Sequence, residues 1–246
     1  LLYGTTTSTA GNVVLLGKGV DGLLVGGAVT VGSVGRVRSL TITGTATSGD
    51  GITTTAALRA TGAITLTGHT ATGANGIDVG STLASTVAGD VILSGRSGGT
   101  IAAVYTTGVN LANALTVASG NLTIQGSSLV GGIATPLAGS SATGSRYGFS
   151  TAAAGDITVS GNISLAGTSV THLGAYLLGD VLSTDGNVAL TGAGLYAMSL
   201  SGPVTAGTGV NPRTLTITTT GSNGYGLTTA AAAALSATGS IALTSY

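Results

Sequence analysis

The chain has no cysteine, no glutamate and no tryptophan, a single phenylalanine and a single methionine, and only three prolines in 246 residues. Without cysteine there is neither a disulfide framework nor a thiolate metal site. Only 6% of residues are charged, against roughly 25% in an average domain. Seven basic and seven acidic groups cancel to a net charge of zero, which removes the electrostatic case for nucleic acid or an anionic membrane surface. Gly, Thr and Ser interrupt every apolar stretch, so no run reaches the ~18 apolar residues of a membrane-spanning helix. An outer-membrane barrel would carry aromatic girdles at both interfaces, and 3% aromatics do not supply them. The opening LLYGTTTSTAG has no basic region followed by an apolar one. It is therefore not expected to be a signal peptide, and the chain is expected to be a mature product or a segment of a longer one.

What is present is glycine, 44 of it, in a chain that is 43% hydrophobic with a mean hydropathy of +0.56. Disordered chains are poor in apolar residues, so this one is expected to fold. Its apolar residues fall into a repeating motif, Gly-Asn/Asp followed by alternating aliphatic and hydroxyl residues. Copies are GNVVLLG, RSLTITG, GAITLTG, GDVILSG, GNLTIQG, GDITVSG, GNVALTG, RTLTITT and GSIALTS. Their first aliphatic residues are Val13, Leu40, Ile64, Val91, Leu122, Ile157, Val188, Leu215 and Ile241, spaced by 24 to 35 residues. ALRATGAITLT and ALSATGSIALT agree at eight of eleven positions, which marks true duplication. Within most periods a second strand opens on a turn pair, as in DGLLV, DGITTT, NGIDV and YGLTT, and a third short apolar run leads back to the motif.

An antiparallel meander would repeat every ~8–12 residues. A period more than twice that, holding three short strands, predicts an all-β fold: a right-handed parallel β-helix of about nine coils forming a single β-solenoid domain over 1–246. Alternation puts Leu40 and Ile42 inside and Thr41 and Thr43 outside. The interior is then an aliphatic stack with no need of aromatics, and corner glycines are expected where the chain turns tightly or takes positive φ. The interval 126–154, with Pro136 and a Gly/Ser/Ala run, reads as an irregular, loop-rich coil; AGTGVNPR, 206–213, is a second irregular place.

The residue before the inward aliphatic position is often Asn or Asp. Asn12, Asp90, Asn121, Asp156 and Asn187 are expected to form a corner ladder, each bonding local backbone and the next copy. NLT and NIS match the glycosylation pattern, but the ladder itself generates those sequons. The spacing of the seven Asp suggests turn chemistry, with Asp21 and Asp50 in Asp-Gly pairs, and no catalytic, cofactor or metal residue is assigned. The two histidines lie too far apart to share a metal. Outward Thr41, Thr43, Thr65, Thr67, Thr158, Thr216 and Thr218 make a partial array of the kind an ice-binding solenoid presents, although Thr is also an ordinary strand residue.

SGDGITTTAALRATGAITLTG and its relatives resemble the β-helical passenger regions of autotransporters and the filamentous-haemagglutinin-like exoproteins of Gram-negative bacteria. The resemblance implies a secreted or cell-surface adhesin, stalk or fibre component, non-enzymatic and without cofactor. It implies a glycan or protein ligand on a host or other surface, and export that disfavours disulfides. Uncapped solenoid ends pair with further strands, so end-to-end self-association or continuation of a longer solenoid is expected. An ice-binding solenoid is the second reading and a glycan-cleaving β-helix enzyme the third.

Overall fold

A computed structural model describes residues 1–72, 74–98, 106–129 and 146–246. Among these residues there is no helix; all regular structure is strand, and all pairing between named strands is parallel. The chain winds through about 8 turns, each laying one strand on each of three faces. At about 4.8 Å per rung the stack is about 40 Å tall.

The first face carries Val13–Gly19, Leu40–Ala46, Ile64–Thr70, Val91–Ser97, Leu122–Ser128 and Ile163–Ser169, then the opening halves of Val188–Leu200 and Leu215–Thr229, then Ile241–Ser245. The second carries Leu23–Val25, Ile52–Thr54, Asn75–Val79, Thr106–Leu111, Arg146–Thr151 and Leu173–Leu177, then the closing halves of the same two long strands. The third runs from Thr6–Ser8 through Val29–Val31, Leu58–Ala60, Leu83–Ser85, Leu115–Val117, Ile157–Val159, Val181–Ser183 and Val204–Ala206 to Leu235–Ala237. Because Val188–Leu200 turns the corner without interruption, the first two faces join into one 15-stranded sheet beside the 9-stranded third face.

The alternating pattern explains the core. On the first face Leu40, Ile64, Val91 and Leu122 stack directly, as do Ile42, Leu66, Leu93 and Ile124, each 0–1% exposed. Such columns bury about 1.5–3 kcal/mol per aliphatic side chain. The interior is not free of aromatics: the only phenylalanine, Phe149, is fully buried on the second face, and the position above it is Ala175. A large ring is thus accommodated by a small neighbour on the next rung.

One assignment changes. In GDITVSGNISLAG the two motif copies lie on different faces: Ile157 sits on the third face between Leu115 and Val181, while Ile163 stacks between Leu122 and Val188 on the first. The two halves look alike because two corners use the same Gly-Asx opening. The coil between Asn121 and Asn162 consequently spans 41 residues. Of the interval 126–154, residues 130–145 lie outside the described residues; at its flanks Leu122–Ser128 and Arg146–Thr151 are strands in register with their neighbours.

Glycines at the fifth residue of the first-face strands have a specific task. Gly17, Gly44, Gly68, Gly95, Gly126, Gly167 and Gly192 stack in one inward column, facing the carbonyls of Gly22, Gly51, Gly76, Gly108, Gly148, Gly174 and Ala197 at the start of the second face. Two backbones touch there and leave no room for a Cβ. None of these glycines has positive φ, so close approach, not turn conformation, selects them.

The duplicated segments also acquire a role. Thr61 and Thr238, equivalent positions in the two copies, each clamp a longer corner in the coil below. Thr61 Oγ1 accepts the Arg38 N–H at 3.0 Å and donates to the Arg36 carbonyl at 2.8 Å; Thr238 Oγ1 accepts the Arg213 N–H at 3.0 Å and donates to the Asn211 carbonyl at 2.7 Å. Both corners begin on a positive-φ glycine, Gly32 (φ 89°) and Gly207 (φ 81°), and both expose a valine, Val34 and Val210, at the tip. The segment 206–213 is therefore an ordered corner with a counterpart six coils away.

Candidate binding face

The Asx ladder forms, with one member replaced. Asp90 Oδ1 accepts the Asn121 N–H at 2.8 Å and its Nδ2 at 3.1 Å; Asn121 Oδ1 accepts the Asn162 N–H at 2.9 Å; Asn162 Oδ1 accepts the Asn187 N–H at 2.9 Å; Asn187 Oδ1 accepts the Thr214 N–H at 2.8 Å. Asn12 begins a separate segment by accepting the Ser39 N–H at 3.0 Å. Asp156 is not in this column. It stands at the corner between the second and third faces, where its Oδ1 accepts the Asp180 N–H at 3.0 Å. Asn162 holds the place that sequence spacing gave to Asp156. The ladder satisfies corner N–H groups and offers no reactive group.

The outward threonines divide as well. Thr41 and Thr43 lie beside Thr65 and Thr67 on consecutive first-face rungs, but the next rung presents Ile92 and Ser94 in the same columns. Thr216 and Thr218 follow Ala189 and Thr191 near the far end, and Thr158 is on the third face between Thr116 and Leu182. The first face thus has no continuous threonine rank: Val14, Leu16, Ile92 and Gln125 interrupt it.

Distinct chemistry gathers at the edge between the first and second faces. The residue that precedes the second-face glycine is a single column, because Leu23, Ile52, Ile77 and Val109 stack in register. Read upward, that column is Asp21, Asp50, Asn75, Thr107, Tyr147, Leu173, Tyr196 and Tyr225. It changes from carboxylate, through amide and hydroxyl, to aromatic. At its lower end a cleft of about 400 Å³ is lined by Asp21, Ser48, Asp50, Thr53, Thr72 and Thr106, with Leu1 and Leu24. Asp50 is tied into the stack: its Oδ1 accepts the Asn75 N–H at 2.7 Å and its Oδ2 accepts the Thr53 hydroxyl at 3.1 Å.

One column further along the second face, Asn110 Nδ2 donates to Asp78 Oδ1 at 2.8 Å and the Ser150 hydroxyl donates to Asn110 Oδ1 at 2.9 Å. Burial pushes the Asp78 carboxyl above its usual value, the Asn110 bond opposes that shift, and the Asp50 charge adds to it. A raised carboxylate pKa means that the folded state binds the proton more readily than the unfolded chain, so ionised Asp78 costs stability at neutral pH. Asp78→Asn is expected to raise the urea midpoint at pH 7. The advantage should shrink as pH falls through the raised Asp78 pKa and vanish below the usual carboxylate value, where the parent side chain is neutral as well. Urea titrations at pH 7, 5 and 3.5 check this; an advantage independent of pH would sink it.

Above this chain of bonds stand the rings. Tyr147, His172, Tyr196 and Tyr225 come from four successive coils, with centroids 5.5, 6.0 and 5.8 Å apart. Tyr176 stacks on Tyr147 at 5.0 Å and 19°. Four of the chain's seven tyrosines are therefore in one strip. Burial, with the Arg146 charge second, holds His172 below its usual pKa, so the imidazole is neutral at pH 7 and its protonation opposes folding on acidification below about pH 6.5. YGLTT and NGIDV are legible in the sequence as turn pairs, but the strip is not, since His172 precedes its glycine by two residues and Tyr196 is followed by Ala197.

The remaining acidic residues do not converge. Asp185 pairs with Arg213, Asp180 with the Asp156 corner, and among the described residues no three His, Asp or Glu side chains lie close enough to hold a metal ion. No described helix is long and apolar enough to cross a membrane. No family model, curated protein or solved structure matches the chain.

Proposed function

We propose that the protein is a structural and adhesive, non-enzymatic solenoid segment of an extracellular bacterial surface fibre, propagated by rung-on-rung stacking. The observation that carries this reading is the repetition of the inward columns: Val13, Leu40, Ile64, Val91, Leu122, Ile163, Val188 and Leu215 stack rung on rung in one register. A rung built to that register can pair and pack with its neighbour whichever chain supplies it, so stacking between copies uses the same contacts as stacking within one. Uniform core columns, a neutral exterior and hydroxyl-rich faces suit a load-bearing rod better than a reaction vessel.

Sedimentation and electron microscopy of the purified chain over a range of concentrations test this. End-to-end rods several times the length of one chain are expected, and Leu243→Lys should reduce them to single rods by placing a charge in the stacking surface. Monodisperse single rods at millimolar concentration would overturn the reading. Ice binding by the first face predicts thermal hysteresis, which the fibre reading does not.

A further inference from the structure

We infer that the aromatic strip formed by Tyr147, Tyr176, His172, Tyr196 and Tyr225 binds an uncharged oligosaccharide lying along the solenoid axis. This inference rests on the adhesive half of the reading above and is independent of end-to-end assembly.

The chain is 3% aromatic, and the core is filled almost entirely by aliphatic side chains. Stability does not call for tyrosine on the outside of the second face, where lower coils place Asn75 and Thr107 in the same column. Tyrosines nevertheless recur there on three of the last four coils. They are not buried: Tyr225 is 60% exposed, and Tyr147, Tyr176 and Tyr196 are half-buried. Tyrosine presents a rigid amphipathic surface with little rotamer entropy to lose on binding.

Rings at 5.0–6.0 Å intervals over four coils make a strip about 15–20 Å long at ~4.8 Å per rung. Sugar rings are apolar on their C–H faces and polar around their edges. Successive rings meet edge to face at 73° and 75° and then tilted at 46°, so the strip offers ring faces and edges in turn to the C–H faces and hydroxyl edges of sugars, and Ser199 and Thr228 continue the Tyr176 column as a hydroxyl border.

A phosphate-bearing ligand would want exposed cations. The nearest cation, Arg146, is only 6% exposed, and His172 is held neutral. The carboxylates at the lower end of the edge disfavour acidic ligands. An uncharged glycan suits rings whose own stretch of the two columns, Tyr147, Leu173, Tyr196 and Tyr225 beside Ser150, Tyr176, Ser199 and Thr228, carries no charged side chain.

Without tryptophan, emission comes from the seven tyrosines, four of them in the strip, and the Tyr→Leu variants below assign a ligand-induced change to the strip. Cellohexaose, laminarihexaose, maltohexaose and chitohexaose are titrated, with tyrosine emission and calorimetry as the two readouts. At least one is expected to bind with a dissociation constant of 1 mM or tighter on the order-of-magnitude scale of weak single-site recognition. Tyr176→Leu and Tyr196→Leu keep apolar bulk and remove the aromatic face; each should weaken binding about tenfold or more, in line with loss of a binding hot spot. Tyr→Phe at the same positions should retain most of the affinity. Tyr225→Ala, at the most exposed ring, guards against loss of fold and should also weaken binding with an unchanged melting temperature. No binding by any of the four hexaoses, or binding undiminished in folded Leu variants, overturns the inference. Filament formation scores the fibre reading separately, so either can fail alone.

Discussion

Gly95→Ala is expected to abolish the native coil stack, whereas Gly209→Ala leaves it intact. A Cβ on Gly95 would lie 2.6 Å from Val109 Cγ2 and 2.7 Å from the Gly108 carbonyl carbon. Neither neighbour can yield. Gly108 belongs to Thr106–Leu111, paired on one side to Asn75–Val79 and on the other to Arg146–Thr151. Gly95 belongs to Val91–Ser97, paired to the strands on either side of it. Moving either backbone displaces two further rungs. Overpacking a side-chain core costs about 1–3 kcal/mol; with backbone on both sides the cost should exceed about 3 kcal/mol, a large share of a typical domain's stability. At Gly209 nothing lies within 4 Å of an added Cβ, so its substitution should fall within about 0.5 kcal/mol of the parent. Equal urea midpoints for the two variants would remove the close-approach explanation of the glycine column.

That column also shows what could be read from the sequence and what could not. The aliphatic alternation in LTITG or ITLTG specifies both strand and inward face, since neither depends on anything distant. The solenoid follows from the period because three strands separated by short corners have only the rung below to pair with. The glycine that closes most motif copies was visible as well, but its cause was not. A positive-φ corner and a backbone contact with the following strand leave the same letter in the chain, and only the stacked structure shows that Gly95 faces Gly108. The exchange of Asp156 for Asn162 has a similar origin. Both residues follow glycine and precede Ile-x-aliphatic, so local pattern cannot say which corner each occupies; stacking of Ile163 between Leu122 and Val188 decides it.

The candidate site was the least legible part because it is a column and not a motif. Asp21, Asp50, Asn75, Tyr147, Tyr196 and Tyr225 are separated by whole coils, and coil length varies at the very corner they flank. Leu122–Ser128 leaves the first face at Ser128 and its coil meets the second at Arg146, whereas Val188–Leu200 and Leu215–Thr229 each pass the corner within one strand. Alignment by period alone therefore slips out of register. A solenoid separates what holds it together from what it displays: inward positions must repeat, outward ones need not. The carboxylate-to-aromatic gradient along one edge is a feature that the core neither requires nor forbids, and it is accordingly where a ligand is best sought.

If the rungs are interchangeable, removing one whole coil should be tolerated and removing part of one should not. Deleting residues 64–90 joins Ala63 to Val91. Because Ile64–Thr70 pairs with Leu40–Ala46 and Val91–Ser97 in the same register, Val91 then settles on Leu40, Leu93 on Ile42 and Gly95 on Gly44. The second face brings Val109 onto Ile52 in place of Ile77, and the third brings Leu115 onto Leu58 in place of Leu83. Asp50 loses the Asn75 N–H but meets that of Thr107. Solenoid stability is approximately a sum of nearest-neighbour terms, so the shortened chain should unfold cooperatively with a denaturant slope lower by about one eighth. Deleting residues 64–79 instead retains Leu83–Ser85 but no first- or second-face strand to lead to it. The chain would have to return to the third face without completing a turn, leaving the Leu58 strand and everything above it without a matching rung. That variant is expected to lose its β circular-dichroism signal or aggregate. A half-coil deletion as stable as the whole-coil deletion would refute rung-by-rung stacking as the source of the fold's stability.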